Sequence, residues 1–134
     1  MSDPLRVRGG FADLVGYQMT AWREGHAEAS VKVEAKHLNR SGVMHGGVMT
    51  TLVDAVCGYA GCYSPPGEPP RRAFTLSLNC RFIAATRPGA RLTAVAKKSG
   101  GGRQIFFASC EVRDEGGRLI GQGDGVFKYI TPRT

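Results

Sequence analysis

One carboxylate stands alone in a long uncharged stretch of the chain. Asp54 is the only lysine, arginine, aspartate or glutamate between His45 and Glu68. Removing a carboxylate from water costs free energy unless the group is paired or hydrogen-bonded. Asp54 is therefore either a structural residue satisfied by a nearby hydroxyl, or a nucleophile or general base held in a dry cleft.

The glycine pair Gly46-Gly47 could supply a second part of a catalytic site. If a helix begins there, its free backbone N–H groups and the positive end of its dipole would stabilise an oxyanion. By itself such a pair is more often a flexible turn that needs positive φ. His45, just ahead of the pair, could act as a base or simply cap the helix.

The spacing of these groups predicts an oligomer. Gly46 and Asp54 are eight residues apart, which is about 12 Å along one helix at about 1.5 Å per residue. Both cannot touch the same carbonyl from one chain. If both are catalytic, Gly46 of one subunit must meet Asp54 of another across two roughly antiparallel helices, in a dimer with two equivalent sites.

The histidines and cysteines form no metal-binding pattern. His26 and His37 are expected at the surface or at strand ends, and neither an HxH nor an HExxH spacing occurs. The four cysteines include no CxxC pair, so we predict free thiols and no zinc site. No metal and no cofactor are expected.

Alternation of apolar and polar residues predicts strands at 27–36 and 73–83. The second strand places five side chains on its apolar face: Phe74, Leu76, Leu78, Cys80 and Phe82. Further strands are predicted at 91–97, 104–113 and 118–130, separated by glycine turns at 99–102 and 116–117. The order of the last four strands predicts an antiparallel meander.

Residues 46–63 do not alternate, and the stretch is too long for a typical strand. We predict a central helix that is apolar on nearly all sides, closed by the proline-rich segment 64–70. Its small residues would let a sheet approach closely: Ala55, Gly58, Ala60 and Gly61. The predicted fold class is α+β, a hotdog arrangement in which a long central helix is wrapped by a curved antiparallel sheet of five to six strands. It forms a single domain over 1–134, with a short helix at 11–15 and an extra strand at 17–23.

The charge of +7 is unevenly distributed over the 134 residues. Residues 1–70 hold six Lys or Arg against seven Asp or Glu, whereas residues 71–134 hold twelve against four. The basic second half predicts an anionic partner, either nucleic acid or a small molecule that bears phosphates. The first ten residues show no signal peptide, and the most apolar stretch, 46–62, is shorter than the roughly 20 residues of a membrane span. We expect a cytoplasmic protein without a membrane partner.

With these residues in place, the sequence resembles the hotdog-fold acyl-CoA thioesterases. It is most similar to the PaaI-like (phenylacetic acid degradation) branch of the 4-hydroxybenzoyl-CoA thioesterase superfamily. The matching motif is HLNRSGVMHGG at 37–47, followed by TLVD at 51–54. The likeness continues through FADLVG at 11–16, FTLSLN at 74–79 and GRLIGQG at 117–123.

The resemblance implies roles for five positions. Asp54 matches the helix carboxylate that attacks the thioester or activates water. Gly46 matches the residue whose backbone N–H polarises the thioester carbonyl. Asn39 and His45 match polar residues that bind the thioester or orient the catalytic groups, and Thr75 matches, less specifically, a strand hydroxyl that positions the hydrolytic water.

The resemblance also implies acyl-CoA as substrate, in a homodimer or a homotetramer built as a dimer of dimers. Coenzyme A carries phosphates, so we look for cations in the basic half of the chain. The candidates are Lys97, Lys98, Arg103 and Lys128, with Arg71 and Arg72 beside the proline-rich segment. Gly47 is included in the substrate site, and three apolar residues could line the acyl channel: Met49, Val53 and Phe82.

Three other functions compete with thioester hydrolysis. A hotdog dehydratase or hydratase would use a histidine–carboxylate pair embedded in different motifs. Here the carboxylate lies mid-helix after HGG, which favours hydrolysis. A non-catalytic acyl-CoA-sensing module would keep the pocket and could lose Asp54. A nucleic-acid-binding domain is suggested by charge alone, since no recognition helix or aromatic RNA-binding motif is present. The sequence therefore favours hydrolysis of acyl-CoA without nucleic acid as a partner.

Overall fold

A computed structural model of the chain describes Leu5 and residues 9–130. The expected absence of a signal peptide and both ends of the predicted domain 1–134 concern residues outside this part. The elements follow the order α1 Gly10–Val15, β1 Gln18–Arg23, β2 His26–Lys32, α2 Gly46–Gly61, β3 Ala73–Phe82, β4 Arg91–Gly101, β5 Ile105–Asp114 and β6 Leu119–Tyr129. The predicted α+β class, long helix and strand number are confirmed.

The six strands form an antiparallel sheet in the order β1-β2-β4-β5-β6-β3. The predicted meander of the last four strands is wrong, because β3 pairs with β6 rather than with β4. Residues 83–90 separate β3 from β4, and β4 instead lies between β2 and β5. Alternation shows that a strand exists, but only tight hairpin turns identify its neighbour.

Helix α2 lies against the sheet, and glycines on both elements permit the contact. A Cβ on Gly61 would lie 2.0 Å from the Phe106 ring, and one on Gly123 of β6 would lie 2.8 Å from Val53. The predicted close approach is therefore confirmed at Gly61. The helix ends at Gly61 rather than at the predicted residue 63. The N–H of the next residue, Cys62, donates a hydrogen bond to the Tyr59 carbonyl oxygen.

Strand β2 ends at Lys32, earlier than predicted, because residues 34–37 form a capped 3₁₀ turn. The Glu34 N–H donates to His37 Nδ1, and His37 Nε2 lies 2.6 Å from the Val15 carbonyl oxygen. His37 is 3% exposed, so its expected place at the surface or a strand end is wrong. Its ring fills the junction between α1 and the loop that leads to α2.

Strand β3 is one of the two edge strands of the sheet and is mostly exposed. The five side chains predicted to share an apolar face do not all lie on one side of the sheet, because a bulge between Thr75 and Ser77 shifts the register against β6. Phe74, Leu76 and Phe82 are 49%, 49% and 61% exposed, whereas Leu78 and Cys80 are half-buried. Within the described residues, β3 has no strand on its outer side.

The glycine turn predicted at 99–102 starts later than expected. Strand β4 continues to Gly101, which pairs with Phe106 at φ 132°. A side chain there would clash with the Ile105 carbonyl oxygen at 2.4 Å. Glycine is required at this position because it adopts positive φ and leaves the hairpin closed.

Candidate active site

Asp54 and Thr75 meet between the helix and the edge strand. The Thr75 hydroxyl donates a hydrogen bond of 2.5 Å to Asp54 Oδ1. Asp54 lies in the middle of α2 and is half-buried. This contact is compatible with both interpretations of the sequence: a structural aspartate satisfied by a nearby hydroxyl, and a catalytic carboxylate. No other hydrogen bond to the carboxylate occurs within residues 9–130.

The bulge in β3 is what brings Thr75 to the helix. In an unbroken strand, Thr75 and Leu78 would point to opposite faces of the sheet. The extra residue at Leu76 reverses the alternation, so that Thr75 and Leu78 both face α2. Such bulges commonly redirect a side chain beside a functional site.

Asp54 and Thr75 line a pocket of about 420 Å³. Its wall includes Trp22 and Tyr59, whose rings meet edge to face at 5.3 Å between centroids. The Trp22 indole N–H donates to the Tyr59 carbonyl oxygen at 2.7 Å, which fixes the indole at the side of the pocket. Gly58 lies one turn beyond Asp54 and leaves the pocket open above Phe127.

Two tyrosines near this pocket remain protonated well into the alkaline range. Burial raises the pKa of Tyr17, and the negative charges of Tyr59 and Asp54 raise it further. Burial also raises the pKa of Tyr59. The phenol groups of Tyr17 and Tyr59 are therefore neutral near pH 7.

The start of α2 forms a second group of residues. His45 is the N-cap, and its Nδ1 accepts the Gly47 N–H at 2.7 Å. The Val48 N–H donates to the His45 carbonyl oxygen. Within the described residues, the Gly46 N–H has no hydrogen-bond acceptor, as expected for one of the first N–H groups of a helix.

Gly46 opens onto a pocket of about 250 Å³ with apolar walls that include Met49, Phe82 and Ile120. A Cβ on Gly46 would lie 3.1 Å from the Phe82 ring, so this ring closes one side of the glycine. Met49 is buried against the sheet at Gly121. The pocket beside the free N–H is therefore small, and most of the side chains that line it are apolar.

Asn39 shapes the loop that leads to α2. Its Oδ1 accepts the N–H groups of Ser41 at 2.9 Å and Val43 at 3.3 Å. The His45 N–H donates to the His37 carbonyl oxygen at 2.7 Å, so this hydrogen bond joins the end of the loop to its beginning. Asn39 itself is exposed.

The chain thus brings the predicted site residues together in two groups. Asp54 and Thr75 line one pocket, whereas Gly46, Met49 and Phe82 line the other. Gly47 and His45 belong with the second group through their hydrogen bond. Val53 is fully buried against Gly123 and reaches neither pocket.

Four of the six predicted phosphate-binding cations are scattered over the molecule. Lys97 and Lys128 alternate with buried residues and point away from α2, and Lys97 lines a cavity on the outer face of the sheet. Arg103 lies in the turn between β4 and β5. Lys98 is half-buried on the face toward the helix, near the Tyr129 ring.

The three aromatic residues that line the Asp54 pocket were not predicted as site residues: Trp22, Tyr59 and Phe127. Tyr59 lies on the predicted helix, but its spacing of five residues from Asp54 does not indicate a shared helix face. Trp22 carried no signal, because its strand pairs with β2 and its side chain reaches the site only through tertiary packing. In the described part of the chain, no cluster of three metal-ligating side chains and no membrane-spanning helix occur.

The family model for the thioesterase superfamily matches residues 41–120 of this chain. The matched segment holds both groups of site residues, from the loop before α2 through β3. The chain belongs to the thioesterase superfamily. The predicted family and the predicted class of enzyme, a thioester hydrolase, are confirmed.

Individual relatives agree with this assignment. Mouse acyl-coenzyme A thioesterase 13 is 30% identical over 94 residues, which cover 69% of this chain and 65% of the mouse protein. The structure of a conserved Pseudomonas aeruginosa protein is 32% identical with a TM-score of 0.83, covering 92% of this thioesterase and 95% of that chain. A variant of the phenylacetic acid degradation protein PaaI from Thermus thermophilus is 27% identical with a TM-score of 0.76, covering 88% and 96% of the two chains.

Proposed function

We propose that this thioesterase hydrolyses acyl-CoA to a carboxylic acid and coenzyme A. The observation that carries the proposal is the hydrogen-bonded pair of Asp54 and Thr75 facing an open pocket. A thioester is already activated, so a carboxylate and an oxyanion donor suffice without a metal or a serine triad. The name of the mouse relative supports acyl-CoA as the substrate class.

Asp54 acts on the carbonyl carbon by one of two routes. As a general base, it takes a proton from water while the water oxygen bonds to the carbonyl carbon. As a nucleophile, its own oxygen forms that bond, and water then hydrolyses the resulting anhydride. In both routes the C–S bond breaks, and the thiolate of coenzyme A leaves and takes up a proton.

Thr75 positions the reacting oxygen. Its proton is directed to Asp54 Oδ1, so its oxygen lone pairs are free to accept a hydrogen bond from water. The second carboxylate oxygen, Oδ2, is left for the proton transfer or the attack. The Gly46 N–H stabilises the negative charge that develops on the carbonyl oxygen, while Asn39 and His45 hold the loop that presents it.

A second copy of the chain completes the site. Asp54 and Gly46 line different pockets of one protomer, so one carbonyl meets both only across an interface. The exposed edge strand β3 offers unpaired backbone groups and exposed apolar side chains at Phe74, Leu76 and Phe82. Such an edge favours pairing with another strand, and a two-fold dimer through β3 would create two equivalent sites.

The experiment is release of free thiol from a panel of acyl-CoA thioesters. The panel runs from acetyl to palmitoyl and includes phenylacetyl and hydroxybenzoyl thioesters, because the PaaI relative makes an aryl acyl group a candidate. Turnover of at least one member supports the proposal and identifies the acyl class. Binding without turnover of any member would favour a sensing module or a different reaction on the thioester.

A further inference from the structure

One buried hydroxyl of the chain has no hydrogen-bond partner. Thr86 lies in the segment between β3 and β4 and is 5% exposed. Within the described residues, its Oγ1 is the one buried side-chain oxygen or nitrogen without a hydrogen bond. Most buried polar atoms in native proteins have at least one partner. The partner of this hydroxyl therefore has to come from outside the described chain.

Thr86 lines the same pocket of about 250 Å³ as Gly46. The Met44 N–H donates to the Thr86 carbonyl oxygen at 2.8 Å, which holds the threonine beside the loop before α2. Gly46 follows Met44 by two residues, and two extended residues span at most about 7 Å. The unpaired hydroxyl and the proposed oxyanion donor therefore belong to one small cavity, where a single acyl group can contact both.

Thr86 is also the one polar side chain in the wall of this pocket. The other described residues that line it are apolar or glycine: Met44, Gly46, Met49, Phe82, Ile83, Ala84, Ala85 and Ile120. The Asp54 pocket differs, because Thr75, Arg71 and Arg72 line it together with the carboxylate. A few polar groups in a mostly apolar wall are typical of small-molecule sites, where they fix the orientation of the ligand.

The backbone of Thr86 keeps a second unused donor. Within residues 9–130 the Thr86 N–H has no acceptor, whereas the N–H groups of Ile83 and Ala84 both donate to the Ile120 carbonyl oxygen. The hydroxyl oxygen itself is covered in the free chain. One staggered step of χ1 exchanges the hydroxyl and methyl positions of a threonine, and we expect this step when a ligand enters.

Bound water is the simplest partner for Thr86 and has to be weighed. A buried water needs about two to four polar partners, and the Thr86 hydroxyl and N–H together offer two. A ligand oxygen that replaces such a water keeps its hydrogen bonds, whereas an alkyl chain that replaces it loses them. A water at Thr86 in the free enzyme would therefore still lead to discrimination between acyl groups.

We propose that Thr86 selects acyl groups that carry a hydroxyl or keto oxygen, which it hydrogen-bonds inside the Gly46 pocket while the thioester carbonyl accepts the Gly46 N–H. The inference rests on the proposed function. At about 30 Å³ per water molecule, the pocket volume equals about eight waters, which suits a short acyl chain. A site that pairs a substrate oxygen discriminates against the analogue without it, because the protein group is then left unpaired.

Matched acyl-CoA thioesters test this selection. Butyryl-CoA is compared with 3-hydroxybutyryl-CoA and 3-oxobutyryl-CoA, and hexanoyl-CoA with 6-hydroxyhexanoyl-CoA, so that oxygen is offered near the carbonyl and at the chain end. Thr86→Val removes the hydroxyl at nearly constant shape, and Thr86→Ser keeps it. Thr93→Val is the matched control, because Thr93 lies on the outer face of the sheet and lines neither site pocket. Thermal unfolding checks the fold of each variant.

The readout is the ratio of kcat/KM for each oxygen-bearing thioester to that for its plain partner. We expect at least one ratio above 1 in the wild type, and a fall of about tenfold in that ratio in Thr86→Val. Thr86→Ser and Thr93→Val should keep the wild-type ratio. Ratios that are equal in the wild type and Thr86→Val, including equal losses on both members of a pair, overturn the role of Thr86 while hydrolysis itself stands. A wild-type chain that hydrolyses none of these thioesters, nor any of the acyl-CoA panel, contradicts the proposed function and this inference with it.

Discussion

Thr75 reaches Asp54 because the edge strand gains one residue at Leu76. The 2.5 Å hydrogen bond between the two side chains joins β3 to the middle of α2. Without the bulge, Thr75 would point to the outer face of the sheet, away from the carboxylate. The geometry of the site therefore depends on an irregular feature of the strand as much as on the residues themselves.

Replacing Thr75 with valine should lower turnover while preserving the fold. The isosteric methyl removes a hydrogen bond to a charged group, and we expect kcat to fall about tenfold or more. Thr75→Ser keeps the hydroxyl and should stay close to the wild-type rate. Steady-state kinetics on the best acyl-CoA would measure both, and equal activity of valine and serine variants would exclude a role for the hydroxyl.

Removing the Gly46 N–H should affect the chemical step. Proline is tolerated in the first turn of a helix and has no N–H, so Gly46→Pro deletes the proposed oxyanion donor. We expect a fall in kcat of about 10²- to 10³-fold. Gly46→Ala is the steric control, because its methyl meets Phe82 at 3.1 Å but keeps the N–H. If alanine is as damaging as proline, the effect is steric and the donor role fails.

Mixed oligomers test whether the site is shared between subunits. Chains carrying Asp54→Asn and chains carrying Gly46→Pro should each be nearly inactive alone. In a heterodimer, one site combines an intact Asp54 with an intact Gly46, so about half of the wild-type activity should return. Co-expression with two different tags yields the heterodimer for assay. No recovery in the purified heterodimer would place both groups in one chain.

The contact of α2 with the sheet makes Gly61 a stability-determining position. A methyl there would lie 2.0 Å from the Phe106 ring, and we expect Gly61→Ala to lower the free energy of unfolding by about 1–3 kcal/mol. Gly58→Ala on the same helix is the control, since its nearest neighbour is the Phe127 ring at 3.7 Å. Urea unfolding should show that Gly58→Ala is neutral or stabilising, and equal losses would argue against close packing at Gly61.

The sequence was sufficient to predict the fold class. The apolar stretch around Asp54 predicted the helix, and alternation predicted the strands within a few residues. The family resemblance paired Thr75 with the same site as Asp54, and the two side chains are in contact. The fold predictions are confirmed because each rests on a local pattern, whereas the catalytic roles of Asp54 and Thr75 stay predictions.

What the sequence did not show depends on tertiary structure. The neighbour of β3 is set by the path of residues 83–90, for which no local pattern exists. The burial of His37 follows from its contact with the Val15 carbonyl, 22 residues earlier. Trp22 reaches the pocket only after β1 has joined the sheet. The side of the sheet on which a cation lies also depends on tertiary structure: Lys98 faces the helix, whereas Lys97 does not.

The most direct measurement compares wild-type and Asp54→Asn proteins for release of coenzyme A from the acyl-CoA that the panel identifies. Asparagine nearly preserves the shape of aspartate, so binding of the substrate and thermal stability should stay close to wild type. We expect turnover to fall about 10²- to 10⁴-fold, the range of a positioned acid or base. A variant that binds the substrate and hydrolyses it at the wild-type rate would contradict the assignment of Asp54 as the catalytic carboxylate.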